Sequence, residues 1–323
     1  MENKIKEHIV LIGGGGGVYR LARFLKNIRP NISTIQTVFD SGGHSGALRD
    51  EHGVLPPGDI RRAILALADD NVEKNLRELL SYRFPTQNKT TSLDGVTMGN
   101  LLLTALTSIT GSLPQAINEM CKWYGVKGKV LPISLDDAHI KATLSDGSHV
   151  LGEKYIDTRS IDDDRTITDI ELEPNAHIFV DAYEAIASAD KIVFCPGDLY
   201  TSLIPNFLVD GFQEALRESN AKIIYVTNIM TKKAETDGFS ASQFVKTIKK
   251  YIGEKEIDVV IANNGSITYE MEESYGEQKA HIVHLDSEEL SKEVGEVIED
   301  DLVDIAGGIV RHDEKIASLI ADL

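Results

Sequence analysis

The segment HIVLIGGGGGVYRLARFLKNI, near the start of the chain, constrains the fold most. His8 to Ile12 is a short β-branched run without polar interruption, the pattern of a parallel strand covered on both faces. Gly13 to Gly17 follow, and Val18, Leu21, Ala22 and Leu25 then recur at helical spacing. The opening unit is therefore strand, glycine turn, helix, and the chain goes on using it. ISTIQTVFD reads as a second strand ending at Asp40, and GDIRRAILALAD as a helix with Ile60, Ile64, Leu65 and Leu67 on its apolar face. TMGNLLLTALTSITGSLPQAINEMCKWYG gives two helices broken near Gly111 to Pro114. KIVFCPGDLYTSLIPNFLVDGFQEAL repeats the plan, and AKIIYVTNIM and IDVVIANN are further strands with polar ends.

Such alternation predicts an α/β fold: a doubly wound, mostly parallel Rossmann-like sheet with helices on both faces. Between 127 and 180 the period changes to two, and Asp146-Gly147 inside HIKATLSDGSHVLGEKY is a hairpin signal. A small antiparallel β insertion is expected there, within a single α/β domain spanning 1–323.

Charge narrows the partners. A net charge of -18 repels nucleic acid and anionic lipid unless a strong basic patch intervenes, so neither partner is expected. The pairs Lys232/Lys233 and Lys249/Lys250 are too short for such a patch and read as solvated surface. Cys121 and Cys195 belong to no C-x-x-C or Cys/His cluster, which fits a reducing compartment and argues against a disulfide scaffold or zinc site. MENKIKEHIVLIGG is too briefly apolar for a signal peptide or a membrane span. A cytoplasmic protein is expected.

In an open doubly wound sheet, ligands bind beyond the carboxyl ends of the strands. The unusual turns of this chain fall there: Gly13 to Gly17, Asp40-Ser41-Gly42-Gly43, Cys195-Pro196-Gly197-Asp198, Asn228 and Asn263-Asn264. The first glycine run, with Gly14, Gly15, Gly16 and Gly17, suits either a phosphate held by helix amides or a tight strand–helix turn. It is neither a dinucleotide fingerprint nor a P-loop, which weakens a nicotinamide-dependent oxidoreductase reading. In TVFDSGGHSGALRDEHGVLPPGDIRRAILALADD, residues Ser41, Gly42, Gly43, Ser45 and Gly46 can form an anion-binding concavity, with Arg49 able to pair bidentately with phosphate. Asp40 suits a ribose hydroxyl or magnesium. Asp59 suits a helix cap or first-turn position, or magnesium. His44 is a general base, a phosphate donor or neither. After Pro196 and Gly197, Asp198 or Thr201 can cap the next helix and Tyr200 can stack or hydrogen-bond. Cys195 reads as a buried thiol. TNIMTKKAETDGFSASQFV is a polar loop, lid or plain surface, with Ser240 or Ser242 capping a helix at its far end.

TVFDSGGHSGALRDEHGVLPPGDIRRAILALAD, GNLLLTALTSITG, CPGDLYTSLIPNFLV and TNIMTKKAETDGFSASQFV together resemble the signature blocks of the YvcK-type gluconeogenesis factors. These belong to the CofD-like superfamily with the 2-phospho-L-lactate transferases. The resemblance runs from Gly13 almost to the last residue. It implies a Rossmann-like cytoplasmic protein that binds a nucleotide or nucleotide sugar. Bacterial members bind UDP-N-acetylglucosamine and act in carbon flux, cell-wall precursor supply and cell shape, whereas the transferase branch works on a nucleoside diphosphate conjugate with magnesium. Against the family's blocks, Gly16 replaces a threonine, Ser41 an aspartate, His44 a serine and Asp198 a serine. By the same alignment Tyr275 and Arg311 match sugar-nucleotide contacts, and Gly58 and Asn100 fall inside the matching blocks of the expected ligand surface.

The expectation is thus a nucleotide-sugar-binding regulatory protein. Its alternative is a magnesium-dependent transferase in which Asp40 and Asp59 hold the metal and do the catalytic work. Magnesium stays open and no tightly bound organic cofactor is expected. A homo-oligomer and a regulatory protein partner are left open.

Overall fold

Seven strands pair side by side, every neighbour parallel: β1 (Ile9–Gly13), β2 (Ile32–Gln36), β3 (Lys129–Pro132), β7 (Lys191–Phe194), β8 (Lys222–Val226), β9 (Val259–Asn263) and β10 (Glu296–Asp300). Their order is β10-β9-β8-β7-β1-β2-β3. The computed structural model describes residues 7–42, 46, 49, 53–72, 74–86 and 93–323. Gly43 and Ser45 of the expected anion concavity, and His44 between them, lie outside these residues.

The doubly wound prediction holds. Chain order runs outward from β1 in one direction through β2 and β3, then restarts at β7 on its other side, so the switch point lies between β1 and β7. β1 is buried along its whole length, as an uninterrupted apolar run requires of a strand covered on both faces. The helix after it, α1 (Gly15–Leu25), buries Val18, Leu21, Ala22 and Leu25. Each such leucine contributes roughly 1.5–3 kcal/mol when fully removed from water. The second expected helix is α2 (Gly58–Leu67), and α1 packs against it.

Two boundaries differ from the expectation. The second strand stops at Gln36 rather than Asp40, because after the Thr37 N–H to Gly13 carbonyl bond (3.1 Å) the chain leaves the ladder to form the next turn. Within 127–180, Lys129–Pro132 is β3, the parallel edge of the main sheet. The antiparallel unit is the three-stranded sheet β5-β4-β6, made of β4 (His139–Leu144), β5 (His149–Leu151) and β6 (Ile167–Glu173). Its Asp146-Gly147 turn is present, with Gly147 at φ 81° and the Asp146 carboxylate accepting the Ser148 N–H at 2.9 Å. The two helices around Gly111 are Met98–Thr110 and Leu113–Trp123, with Gly111 left-handed at φ 71°.

Sequence reasoning did not foresee the last strands. β10 extends the parallel sheet, and β11 (Val303–Ala306) pairs antiparallel with β12 (Ile309–His312) around Gly307-Gly308, both at positive φ as a two-residue hairpin turn demands. Among the described residues no helix is long and apolar enough to cross a membrane.

Candidate functional site

A cavity of about 850 Å³ opens beyond the carboxyl ends of β1, β7 and β8, at the switch point. Each wall begins as a strand-end turn. Gly16 and Gly17 come from the first turn of α1, Pro196 to Asp198 from the turn after β7, and Asn228 to Lys233 from the loop after β8. The opposite walls are Asp157 to Ile161 of the insertion, the end of the helix Tyr269–Gly276, and the β11–β12 hairpin. Eight expected ligand-facing residues therefore line one hollow: Gly16, Gly17, Pro196, Gly197, Asp198, Asn228, Tyr275 and Arg311.

The glycines shape this hollow for different reasons. A Cβ on Gly17 would lie 1.7 Å from the Pro196 carbonyl oxygen, so only glycine lets α1 start against that turn. Gly16 meets nothing within 4 Å and leaves its flank open to the cavity. Gly197 is clamped reciprocally: its N–H donates to Asn228 Oδ1 (3.2 Å) and its carbonyl accepts from Asn228 Nδ2 (2.7 Å). Asn228 thus fixes the turn that shapes the rim.

Cations gather on the α1 and hairpin sides. Asp304 accepts from Arg20 Nη2 (2.5 Å) and Arg311 Nε (3.1 Å), holding the two guanidinium groups close together. Burial and the neighbouring Arg311 charge lower the Arg20 pKa. Arg20 Nε also donates to the His312 carbonyl. Buried His312 donates from Nε2 to the Thr227 carbonyl (2.9 Å), and burial pushes its pKa down to about 4. The Tyr275 hydroxyl accepts the Val310 N–H at 3.0 Å, pinning the hairpin to its helix. From the insertion, Arg159, its side chain only 4% exposed, donates from Nη1 to the Arg165 carbonyl (3.0 Å) and from Nη2 to the Ala234 carbonyl and lies 3.7 Å from Asp163, while among the described residues its buried Nε has no hydrogen-bond partner.

The lysine pair expected as solvated surface is in the cavity wall. Lys232 Nζ meets carboxylates of Asp157, Asp198 (2.8 Å) and Glu235 (2.9 Å), and Lys233, 13% exposed, meets Asp164 (3.2 Å) and Asp237 (3.3 Å). Burial and the Asp198 charge raise the Glu235 pKa, while the three carboxylates outweigh burial at Lys232 and keep it protonated. Asp198 therefore pairs with Lys232 and makes no side-chain cap, and Thr201 donates to Glu235 (3.2 Å). Backbone bonds from Ser202 and Leu203 back to the Asp198 carbonyl form the π-helical turn Leu199–Leu203. Ser240 is the N-cap of the helix Ala241–Lys249, its N–H donating to Gln243 Oε1 at 2.8 Å.

The remaining expected residues lie outside this lining. A Cβ on Gly14 would come within 2.5 Å of the Asp59 carboxylate, and Gly15 takes φ 64°. Asp59 stands in the first turn of α2, where burial raises its pKa against the pull of Arg62 and the Gly15 N–H. Asp40 accepts the Gly42 N–H at 2.6 Å and hydrogen-bonds Glu153. Ser41 donates its N–H to Glu153 and accepts from the Lys154 N–H (3.1 Å). Burial, then the Asp40 charge, pushes Glu153 up to about 8. Arg49 is turned away, 5% exposed against Asp137 and donating to the Ala138 carbonyl at 2.9 Å. Asn100 Oδ1 accepts from Arg61 (3.0 Å), Gly58 opens α2, Tyr200 is buried, and so is the Cys195 thiol, whose pKa burial raises.

Of the acids expected to hold magnesium, Asp40 accepts the Gly42 N–H and hydrogen-bonds Glu153, Asp59 accepts the Gly15 N–H, and the two lie near enough for the Asp40 charge to help raise the Asp59 pKa. The one group of three carboxylates among the described residues whose ligand atoms all lie within 4.8 Å is Asp157, Asp198 and Glu235, and there the Lys232 ammonium already sits. A divalent ion does not fit without displacing it.

Sequence reasoning missed Arg20, Arg159, Lys232, Glu153 and His312. For Arg20 a signal existed: Tyr19, Arg20 and Arg23 form the polar face of an otherwise apolar helix that starts at the switch point. Nothing local marks the others, since each meets a partner from a distant segment: Arg159 with Ala234, Lys232 with Asp157, Glu153 with Ser41, and His312 with Thr227.

A parallel sheet with a cation-lined hollow at its switch point defines a Rossmann-like protein with a cavity at its strand ends. The sequence profile described as 2-phospho-L-lactate transferase CofD matches residues 9–303, and the chain belongs to that family. It is 38% identical over 320 residues to the gluconeogenesis factor of Bacillus subtilis strain 168, covering 98% of both chains. It is 42% identical over 317 residues to a Thermoanaerobacterium thermosulfurigenes protein carrying that name provisionally, covering 98% of this chain and 96% of that one. A crystal structure of a UPF0052-family protein from Bacillus halodurans superposes with a TM-score of 0.90 at 36% identity, covering 97% of this chain and 99% of that one.

Proposed function

We propose that this chain is a cytoplasmic nucleotide-sugar-binding regulatory protein of carbon metabolism, taking a ligand of the UDP-N-acetylglucosamine kind, with consequences for cell-wall precursor supply and cell shape. The observation that carries the reading is the convergence of Gly16, Gly17, Arg20, Tyr275 and Arg311 on one hollow of about 850 Å³. The first turn of α1 offers amide N–H groups and a partial positive charge to a diphosphate. Arg20 and Arg311, sharing a single carboxylate between two guanidinium groups, leave a surplus of positive charge. Tyr275 and the apolar side chains of Ile229 and Ile309 suit a base or sugar face. The names of the relatives support a place in carbon metabolism.

The family description favours a second reading, a transferase of phosphorus-containing groups. One panel separates the two. UDP-N-acetylglucosamine, GDP and NAD, each with and without magnesium, are screened by thermal shift on the wild type and on Tyr275→Ala and Arg311→Ala. A ligand at 100 times its Kd adds about 2.7 kcal/mol to stability. The regulatory reading expects the UDP-sugar to shift the melt without magnesium and both variants to lose most of that shift. A response to GDP only with magnesium supports the transferase, and no response to any nucleotide overturns nucleotide binding.

A further inference from the structure

The transferase branch implies a magnesium ion, and the clustered carboxylates Asp157 and Asp198 of this cavity's lining, with Glu235 behind them, already receive a group of the chain's own. Asp157 comes from the insertion, Asp198 from the turn after β7, and Glu235 from the loop after β8. An ammonium is a compact point charge with three donors, and here three carboxylates receive it. Glu235 is 1% exposed and Lys232 31%, so the contact is more than a surface ion pair.

We propose that Lys232 is the resident cation of this pocket: its ammonium, held by Asp157, Asp198 and Glu235, occupies the place of a divalent ion, so an anionic ligand binds without added metal. Lys232 is a positioning residue. It offsets part of the negative charge of carboxylates that would otherwise repel a phosphate, ties the insertion to the Gly197 turn, and leaves Arg20 and Arg311 to face the ligand. The ligand part of this inference rests on the nucleotide-binding reading above, whereas the metal part rests on the cluster alone.

The test uses the full chain, wild type and Lys232→Met, in two measurements. In Mn²⁺ titrations followed by electron paramagnetic resonance, the wild type binds no ion that Asp198→Asn removes. Lys232→Met gains one bound Mn²⁺, lost again in Lys232→Met/Asp198→Asn. In calorimetry with UDP-N-acetylglucosamine, the wild type keeps its affinity within about twofold between EDTA and excess Mg²⁺, while Lys232→Met is at least about tenfold weaker in EDTA and recovers with Mg²⁺. A purely structural lysine gives no metal rescue. A wild type that binds Mn²⁺ through Asp198, a wild-type affinity that requires Mg²⁺, or a folded Lys232→Met that takes up no Mn²⁺ each overturns the proposal. If circular dichroism shows Lys232→Met unfolded, the wild-type measurements decide. If no nucleotide binds the wild type, the nucleotide reading fails and the Mn²⁺ titrations still judge the cation.

Discussion

Gly16 and Gly17 are neighbours of one residue type with opposite physical reasons for being there. Gly17 is held by contact, since a methyl group would sit 1.7 Å from the Pro196 oxygen, and that oxygen belongs to a turn clamped by Asn228. Gly16 has free space around its Cα hydrogen. Gly17→Ala is therefore expected to lose about 1–3 kcal/mol through forced repacking, whereas Gly16→Ala, in the same helical turn, gains up to about 1 kcal/mol from reduced backbone freedom in the unfolded chain. Urea melts of the two variants beside the wild type check this, and equal destabilisation would mean that the α1 start does not press on the β7 turn. The glycine run itself is plain in the sequence and so is its placement after a strand. Which glycine touches what depends on the Pro196 turn, far later in the chain, and periodicity carries no information about that.

At the scale of elements, long apolar repeats were readable and short polar strands were not. The units around β1, β7, β8 and β9 have continuous apolar strands and helices with one buried stripe, so each declares itself locally. β10 to β12 are short, mix charged and apolar residues at a partly exposed edge and resemble loop in composition. Their hairpin is docked by Arg20 on Asp304 and on the His312 carbonyl, by Tyr275 on Val310, and by His312 on Thr227 just after β8. The last of these depends on pH. Buried His312 is neutral, with a pKa lowered to about 4 by burial, while an unfolded histidine takes up a proton below 6.5. The unfolded state thus binds the extra proton between these values. The stabilisation is complete above pH 6.5, and it declines as pH falls towards 4 by up to about 1.4 kcal/mol per pH unit. His312→Gln keeps an amide donor for the Thr227 carbonyl and lacks the titration. The difference in unfolding free energy between wild type and His312→Gln is expected to be constant from about pH 8 to 6.5 and to shrink from 6.5 to 4. A flat difference across that range would mean that His312 is hydrated in the fold.

Across the whole molecule, topology decided what could be foreseen about the site. The alternation of strands and helices gave the parallel sheet, and the rule that ligands sit beyond strand ends at the switch point selected turns that line the cavity. Arg49 fails that logic, because its guanidinium is buried against Asp137 and donates to the Ala138 carbonyl. Lys232 fails it in reverse, since a lysine pair in an acidic chain gives no sign that three carboxylates from three separate segments will converge on it. The cavity is consequently assembled from pieces that span most of the chain: the start of α1, the turns after β7 and β8, residues 157–161 of the insertion, and the final hairpin. Hydrogen–deuterium exchange reads this assembly directly, because a ligand seated in the hollow suppresses local opening wherever it bridges elements. With UDP-N-acetylglucosamine in excess, amides of residues 16–24, 196–200, 228–233 and 309–312 are expected to slow together. Those of β3 and β4, on the far side of β2 and in the insertion sheet, should keep their rates. Protection centred instead on residues 40–49 would move the ligand to the β2 turn and restore Arg49 as its partner; protection of the hairpin alone would mean that the ligand docks outside the hollow, against β11 and β12.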